Sequence, residues 1–240
     1  LNVDENDQVM TTDLFDFSDG EPWQEPVGEG VVVLRRFARN TAPDLMQAIG
    51  EVASKAPFRH MVTPGGHSMS AAMTCAGELG WVTDRSGYRY QSTDPESGML
   101  WPEIPESFKE LARNAAEAAG YRGFVPDACL INRYQRGARM GLHQDKDEQE
   151  FSWPIVSVSL GLPITFQFGG PRRSDKPVKI PLEHGDVVVW GGPARLFYHG
   201  VLTLKAGHHP LTGSCRYNLT FRRAGRMSLQ PGDQQPGGKG

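Results

Sequence analysis

His143, Gln144 and Asp145 put an imidazole and a carboxylate two residues apart. In an extended segment both lie on one side of the chain, so both can reach one metal ion while Gln144 points away. A third ligand must come from a distant strand. His199 meets that need, in the run Arg195-Leu196-Phe197-Tyr198-His199-Gly200-Val201, whose apolar and aromatic character predicts a buried strand over Leu196 to Val201. Two His and one carboxylate on one face of a metal leave the opposite face open, the coordination of non-haem Fe(II) oxygenases. A zinc hydrolase could use the same three ligands. His60, His67, His184, His208 and His209 lack such a setting; His184 reads as part of a turn into a strand and His208-His209 as a solvated loop.

Arg216-Tyr217-Asn218-Leu219-Thr220-Phe221-Arg222 narrows the chemistry. On a strand of period two, Arg216, Asn218, Thr220 and Arg222 share one face, and Tyr217, Leu219 and Phe221 the other. The apolar face predicts core. The polar face must look into a polar cavity or water, because an unpaired buried charge is costly. Guanidinium forks match carboxylates bidentately, so two of them suit a dicarboxylate. A keto acid that chelates a metal and is gripped at its far carboxylate by arginine fits such a face.

These residues need strands to carry them. From Ala128 onward short strands are predicted between Gly and Pro punctuation: Ala128 to Tyr134, Ile155 to Leu160, Ile164 to Phe168, Asp186 to Trp190 and Tyr217 to Phe221. Asn132 and Tyr134 alternate with Ile131 and Arg133, so they can line the same interior as the arginines. Upstream, Val31 to Leu34 reads as a strand. Thr41 can cap a helix with Leu45, Ile49, Val52 and Ala53 inward, ended by Pro57. A second helix runs from near Pro105 to Ala119, with Phe108, Leu111, Ala115 and Ala118 inward and Gly120 as its stop. Pro57 to Trp101 lacks firm periodicity and holds Met73, Trp81, Tyr88 and Tyr90 interleaved with Arg85 and Arg89; aromatics beside arginines can stack bases and hold phosphates.

The segments Leu130 to Tyr134, Leu142 to Glu148, Pro154 to Gly161, His184 to Gly192, Arg195 to Gly200 and Arg216 to Arg222 closely resemble the AlkB family of alkylated-nucleic-acid dioxygenases, in register from about Glu21 to Ala224 and nearest the bacterial branch. The resemblance implies a mainly β fold with flanking helices, a double-stranded β-helix or jelly roll with an N-terminal nucleotide-recognition lid. It divides the chain into an acidic tail (1–20), an N-terminal extension and lid (21–127), a dioxygenase core (128–225) and a second tail (226–240). It implies Fe(II) on His143, Asp145 and His199, with 2-oxoglutarate and O2 as co-substrates. Asn132, Tyr134, Arg216, Asn218 and Arg222 would bind 2-oxoglutarate, Arg216 at the distal carboxylate and Arg222 near the metal-side one. Trp81, Tyr88, Tyr90, Asp147 and Arg173 would contact the substrate. Trp81 would stack on a flipped base opposite His143, Tyr88 would touch a phosphate, and Asp147, with Glu148 near it, would face a cationic lesion. The implied reaction is oxidative demethylation of 1-methyladenine or 3-methylcytosine in single- or double-stranded DNA, with RNA left open, releasing formaldehyde and succinate. His67, where the family has tyrosine, and Arg139, where it has lysine, depart from the bacterial pattern. A hydroxylase of a protein or small molecule is the alternative that the triad and arginines alone leave standing.

Composition agrees with this expectation. The 240 residues suffice for one substantial core. The formal charge of −3 is uneven: nine of the 28 acids and none of the 25 Lys and Arg fall within residues 1 to 30. The remainder is basic, as a nucleic-acid backbone would favour. Arg172, Arg173, Lys176, Lys179, Arg139 and Lys146 are its candidate backbone contacts. Cys75, Cys129 and Cys215 have no paired spacing and read as buried thiols. With no apolar run long enough to cross a bilayer, a cytoplasmic monomer without membrane contact is expected.

Overall fold

A computed structural model describes residues 21–225; the tails predicted at 1–20 and 226–240 lie outside the described residues. The chain begins with β1 (Trp23–Gly28) and β2 (Val31–Arg35), then α1 (Ala42–Lys55). Three strands follow, β3 (Ala72–Gly77), β4 (Gly80–Asp84) and β5 (Gly87–Gln91), then α2 (Glu106–Ala118). The remainder is β6 (Ala128–Tyr134), β7 (Met140–His143), β8 (Ile155–Gly161), β9 (Ile164–Phe168), β10 (Val178–Leu182), β11 (Val187–Trp190), β12 (His199–Val201) and β13 (Arg216–Arg222).

Two antiparallel sheets form the jelly roll. The larger runs β1-β2-β11-β8-β13-β6-β3 and the smaller β10-β9-β12-β7, while β4 and β5 make a separate hairpin. Strands β1, β2 and β3, upstream of the predicted core, thus belong to the same sheet as β6, β8, β11 and β13.

Period-two alternation sorts each strand of the large sheet between two cores. Ile131, Val156, Val158, Leu219 and Phe221 pack against the inward faces of α1 and α2, among them Leu45, Ile49, Phe108 and Leu111. The opposite face turns inward, where Leu130, Tyr134, Ile155, Val188 and Trp190 meet Phe166 and Phe168 of the small sheet. The polar residues of β13 share that inward face.

Helix α1 has a proline in its first turn, Asp44 near its start and Lys55 near its end, each suited to the helix dipole. It stops at Ala56, which is extended as a residue before proline must be. Thr41 occupies the N-cap position but makes no side-chain cap; its hydroxyl donates to the Ala38 carbonyl instead. In α2, Phe108, Leu111 and Ala115 are buried as predicted and are joined by Ala112 and Ala116, while Ala118 is exposed.

The strand predicted over Leu196 to Val201 is confined to His199–Val201. Gly192–Ala194 form a 3-10 turn, and Leu196 to Tyr198 carry no strand, although Tyr198 exchanges backbone hydrogen bonds with Gly169 and Gly170. Strands β1, β3, β4, β5, β7 and β10 are not among those predicted from the sequence, so Val31 to Leu34 is the second strand and not the first; the short, mixed stretches of all six lack clean alternation.

Candidate functional site

The two histidines come together by strand pairing. Strand β12 pairs with β7 so that His199 lies opposite His143, and the imidazole centroids are 4.4 Å apart. Asp145, just beyond β7, reaches back: its Oδ1 lies 3.6 Å from His143 Nε2 and its Oδ2 3.7 Å from His199 Nε2. Ligand atoms of all three lie within 4.8 Å of one another.

The donor set fits a divalent metal. His143 Nδ1 lies 2.9 Å from the Gly141 carbonyl and His199 Nδ1 3.0 Å from the Phe197 carbonyl. A carbonyl can only accept, so each Nδ1 carries the proton and each Nε2 lone pair faces the shared point. Burial and the neighbouring His143 push His199 down to about 4, keeping it neutral. Burial alone would raise the Asp145 carboxyl, but Arg222, His199 and His143 outweigh it and hold it well below the usual carboxylate range.

Arg222 Nε donates to Asp145 Oδ2 at 2.9 Å, and Nη2 makes a second bond to the same oxygen. Its Nε also lies 3.2 Å from Glu148. The guanidinium predicted near the metal-side carboxylate of a keto acid is therefore engaged with the metal-ligating carboxylate itself.

Behind the triad, an inner cavity is lined by Asn132, Tyr134, Ser157, Arg216, Asn218 and Thr220. Arg216 is 2% exposed; it donates to Ser159 Oγ at 2.9 Å and lies over the Tyr134 ring. Its Nε and Nη1 have no partner, and neither does Asn132 Oδ1. Buried unpaired guanidinium N–H groups in a polar cavity call for a carboxylate. Asn218 differs: its amide is spent on Ser157, Val158, Asn132 and Thr220, so it orders the cavity wall.

In front of the triad an open pocket of about 330 Å³ is walled by Met69, Met73, Trp81, Tyr88 and Tyr198, with His143, Asp145, Asp147 and Arg173 facing in. That volume is within the roughly 300–1,000 Å³ of small-molecule sites. Trp81 and Tyr88 stack, centroids 5.7 Å apart, and Trp81 Nε1 donates to Asp147 Oδ2 at 2.8 Å. Arg173 lies over the Tyr198 ring.

Two expectations change here. Tyr90 does not line this pocket: its hydroxyl donates to Glu148 at 3.0 Å beneath it. Glu148 is 6% exposed and turned from the lesion-facing position toward Tyr90, Arg195 and Arg222. Two arginines draw it inward, since a buried carboxylate needs such partners. Arg195, which the sequence presents only as the start of an apolar run, is one of those two arginines; a charge embedded between Ala194 and Leu196 is the signal that marks it.

Residues 30–222 match the 2OG-Fe(II) oxygenase superfamily, and the chain belongs to it. Within that superfamily it belongs to the bacterial AlkB branch. It is 62% identical over 210 residues to "Alpha-ketoglutarate-dependent dioxygenase AlkB" of Escherichia coli (strain K12), covering 88% of this chain and 97% of the relative. It is 33% identical to "DNA N(6)-methyladenine demethylase ALKBH1C" of Arabidopsis thaliana, over 63% of this chain and 38% of that one. "The structure of OsALKBH1" superposes with a TM-score of 0.74 at 31% identity, covering 83% of this chain and 99% of the other. The protein is accordingly a dioxygenase dependent on Fe(II), 2-oxoglutarate and O2, with His143, Asp145 and His199 as its metal site.

Proposed function

We propose that the enzyme oxidatively demethylates N-alkylated bases, 1-methyladenine and 3-methylcytosine, in single- or double-stranded DNA, as direct-reversal repair. The observation that carries this reading is the aromatic pocket opening onto His143 and Asp145, with the Asp147 carboxylate and the Arg173 guanidinium set in its wall. In this reading the protein works as a cytoplasmic monomer, and RNA is a substrate to be tested beside DNA.

A methyl on a base's pairing edge is hidden in a duplex, so the base must leave the stack. The Trp81 ring offers it a face, and its pairing edge then points past Asp147 to the triad. Bound there, Fe(II) with 2-oxoglutarate and O2 supplies the oxidising power that hydroxylates the N-methyl carbon. The hydroxymethyl product collapses in water: its hydroxyl proton passes to water, the C–O bond becomes a carbonyl as the C–N bond breaks, the base nitrogen keeps the electron pair, and formaldehyde leaves. Asp147 favours a cationic lesion over a neutral base by simple electrostatics. Arg173 and Tyr88, at the pocket rim, suit phosphate contacts. Arg216 and Asn132 receive the distal end of 2-oxoglutarate, and Arg222 steadies the Asp145 carboxylate. The protein's contribution is position and exclusion of water.

The test is formaldehyde release from a single-stranded oligonucleotide bearing one 3-methylcytosine, with Fe(II), 2-oxoglutarate, ascorbate and oxygen. Release with restoration of cytosine by wild type, and none by His143→Ala, is expected. Succinate formation without formaldehyde would move the substrate to a protein or small molecule.

A further inference from the structure

Between Asp145 and Trp153 the chain has no helix or strand, yet it carries a metal ligand at one end and Asp147 and Glu148 within it. A site held by loop backbone is only as precise as whatever locks that backbone. The lock is Arg195, 3% exposed and four residues before His199. Its Nη1 donates to the Asp145 carbonyl at 2.9 Å and its Nε to the Trp153 carbonyl at 3.1 Å, so one guanidinium ties both ends of the segment. Its Nη2 lies 3.4 Å from Glu148 Oε2, and its plane lies over the Phe151 ring.

The charges close on themselves. Glu148 offsets Arg195 on one side and, 3.2 Å away on the other, Arg222, which bonds Asp145 Oδ2. Asp145 is thus held twice, through its main chain by Arg195 and through its carboxylate by Arg222. Arg195 is also the C-cap residue of the 3-10 turn that precedes β12, its backbone N–H donating to the Gly192 carbonyl, so its side chain ties the Asp145 backbone to the chain leading to His199.

We propose that Arg195 is a positioning residue for the metal centre: it sets the spacing of Asp145 and His199 without touching metal, co-substrate or base. Its rigid fork is what the role requires. A lysine would restore the charge but could not hold both carbonyls and the carboxylate in one plane. The inference rests on the metal site and is independent of which nucleic acid is the substrate.

The test titrates the full-length protein with Co(II), followed by visible absorption, in wild type, Arg195→Lys and a control, Ile49→Ala, in the helix-side core. Arg195→Lys is expected to weaken Co(II) binding about ten-fold, the usual loss for a partner behind a ligand, and to shift the absorption band. The KM for 2-oxoglutarate should stay near that of wild type, because Arg216 is untouched. Ile49→Ala should lower thermal stability and leave Co(II) affinity alone. Unchanged affinity and spectrum in Arg195→Lys would overturn the proposal. So would an equal loss of affinity in Ile49→Ala at matched thermal stability. Should Arg195→Lys not fold, Glu148→Gln, which keeps the shape and removes the balancing charge, is titrated in its place with the same two outcomes.

Discussion

At the scale of single residues, Arg216 and Asp147 make separable demands. A buried charged group left without partners costs on the order of 1–3 kcal/mol or more, and Arg216 carries two N–H groups in that condition inside the inner cavity. A bound dicarboxylate relieves it. Arg216→Met should raise the KM for 2-oxoglutarate about ten- to a hundred-fold, the loss of one or two charged hydrogen bonds. Co(II) affinity in the same variant should stay unchanged; a joint loss would place Arg216 in the metal site. Asp147→Asn keeps an acceptor for Trp81 Nε1 but removes the charge. Demethylation of a cationic base should therefore fall while metal affinity holds, and equal losses in both would end the lesion-facing role of Asp147.

At the scale of elements, the metal site depends on how closely β12 approaches β7. Gly200, between His199 and Val201, has no room for a side chain: a Cβ there would stand 2.7 Å from the Met140 carbonyl oxygen and 2.9 Å from that of Gly141. Both are backbone atoms, so the strands themselves would have to part. Gly200→Ala should weaken Co(II) binding while α1, α2 and the large sheet stay folded, as circular dichroism would report. Wild-type affinity in that variant would mean the two strands can slide without moving His199 from His143. The β4–β5 hairpin is joined to the ligand-bearing segment by two hydrogen bonds, Trp81 to Asp147 and Tyr90 to Glu148. Tyr90→Phe should cost about 1 kcal/mol of stability, the usual net worth of one such bond, measured by urea unfolding.

For the whole molecule, the buried ionisable groups set how stability follows pH. His184 accepts a hydrogen bond at Nδ1 from the Gly161 N–H, and burial with His209 and Arg39 nearby pushes it down to about 4. An ordinary histidine of an unfolded chain titrates near 6.5. Between those values the unfolded chain binds the extra proton, so stability is full above about pH 6.5 and falls as pH drops toward 4. Thermal midpoints of metal-free protein should decline over that window. His184→Gln, whose amide oxygen can accept the same bond, should flatten the decline; an unaltered slope would assign the loss to other groups, His199 first among them. Among the described residues no helix is long and apolar enough to cross a membrane.

The sequence by itself determined whatever local periodicity and residue chemistry encode. His143 and Asp145 two apart, the alternation of β13 and the inward face of β6 were legible because side-chain direction along a strand has a period of two whatever surrounds it. Both helices were legible for the same reason at their own period, apart from Ala118 and the Thr41 cap. Tertiary structure alone decided the pairing of His199 with His143, which depends on register between strands remote in sequence. It alone turned Glu148 inward and Tyr90 beneath the pocket, and gave Arg222 to Asp145. Whether a charge is buried, and who must then neutralise it, is settled by neighbours that only the packed chain supplies.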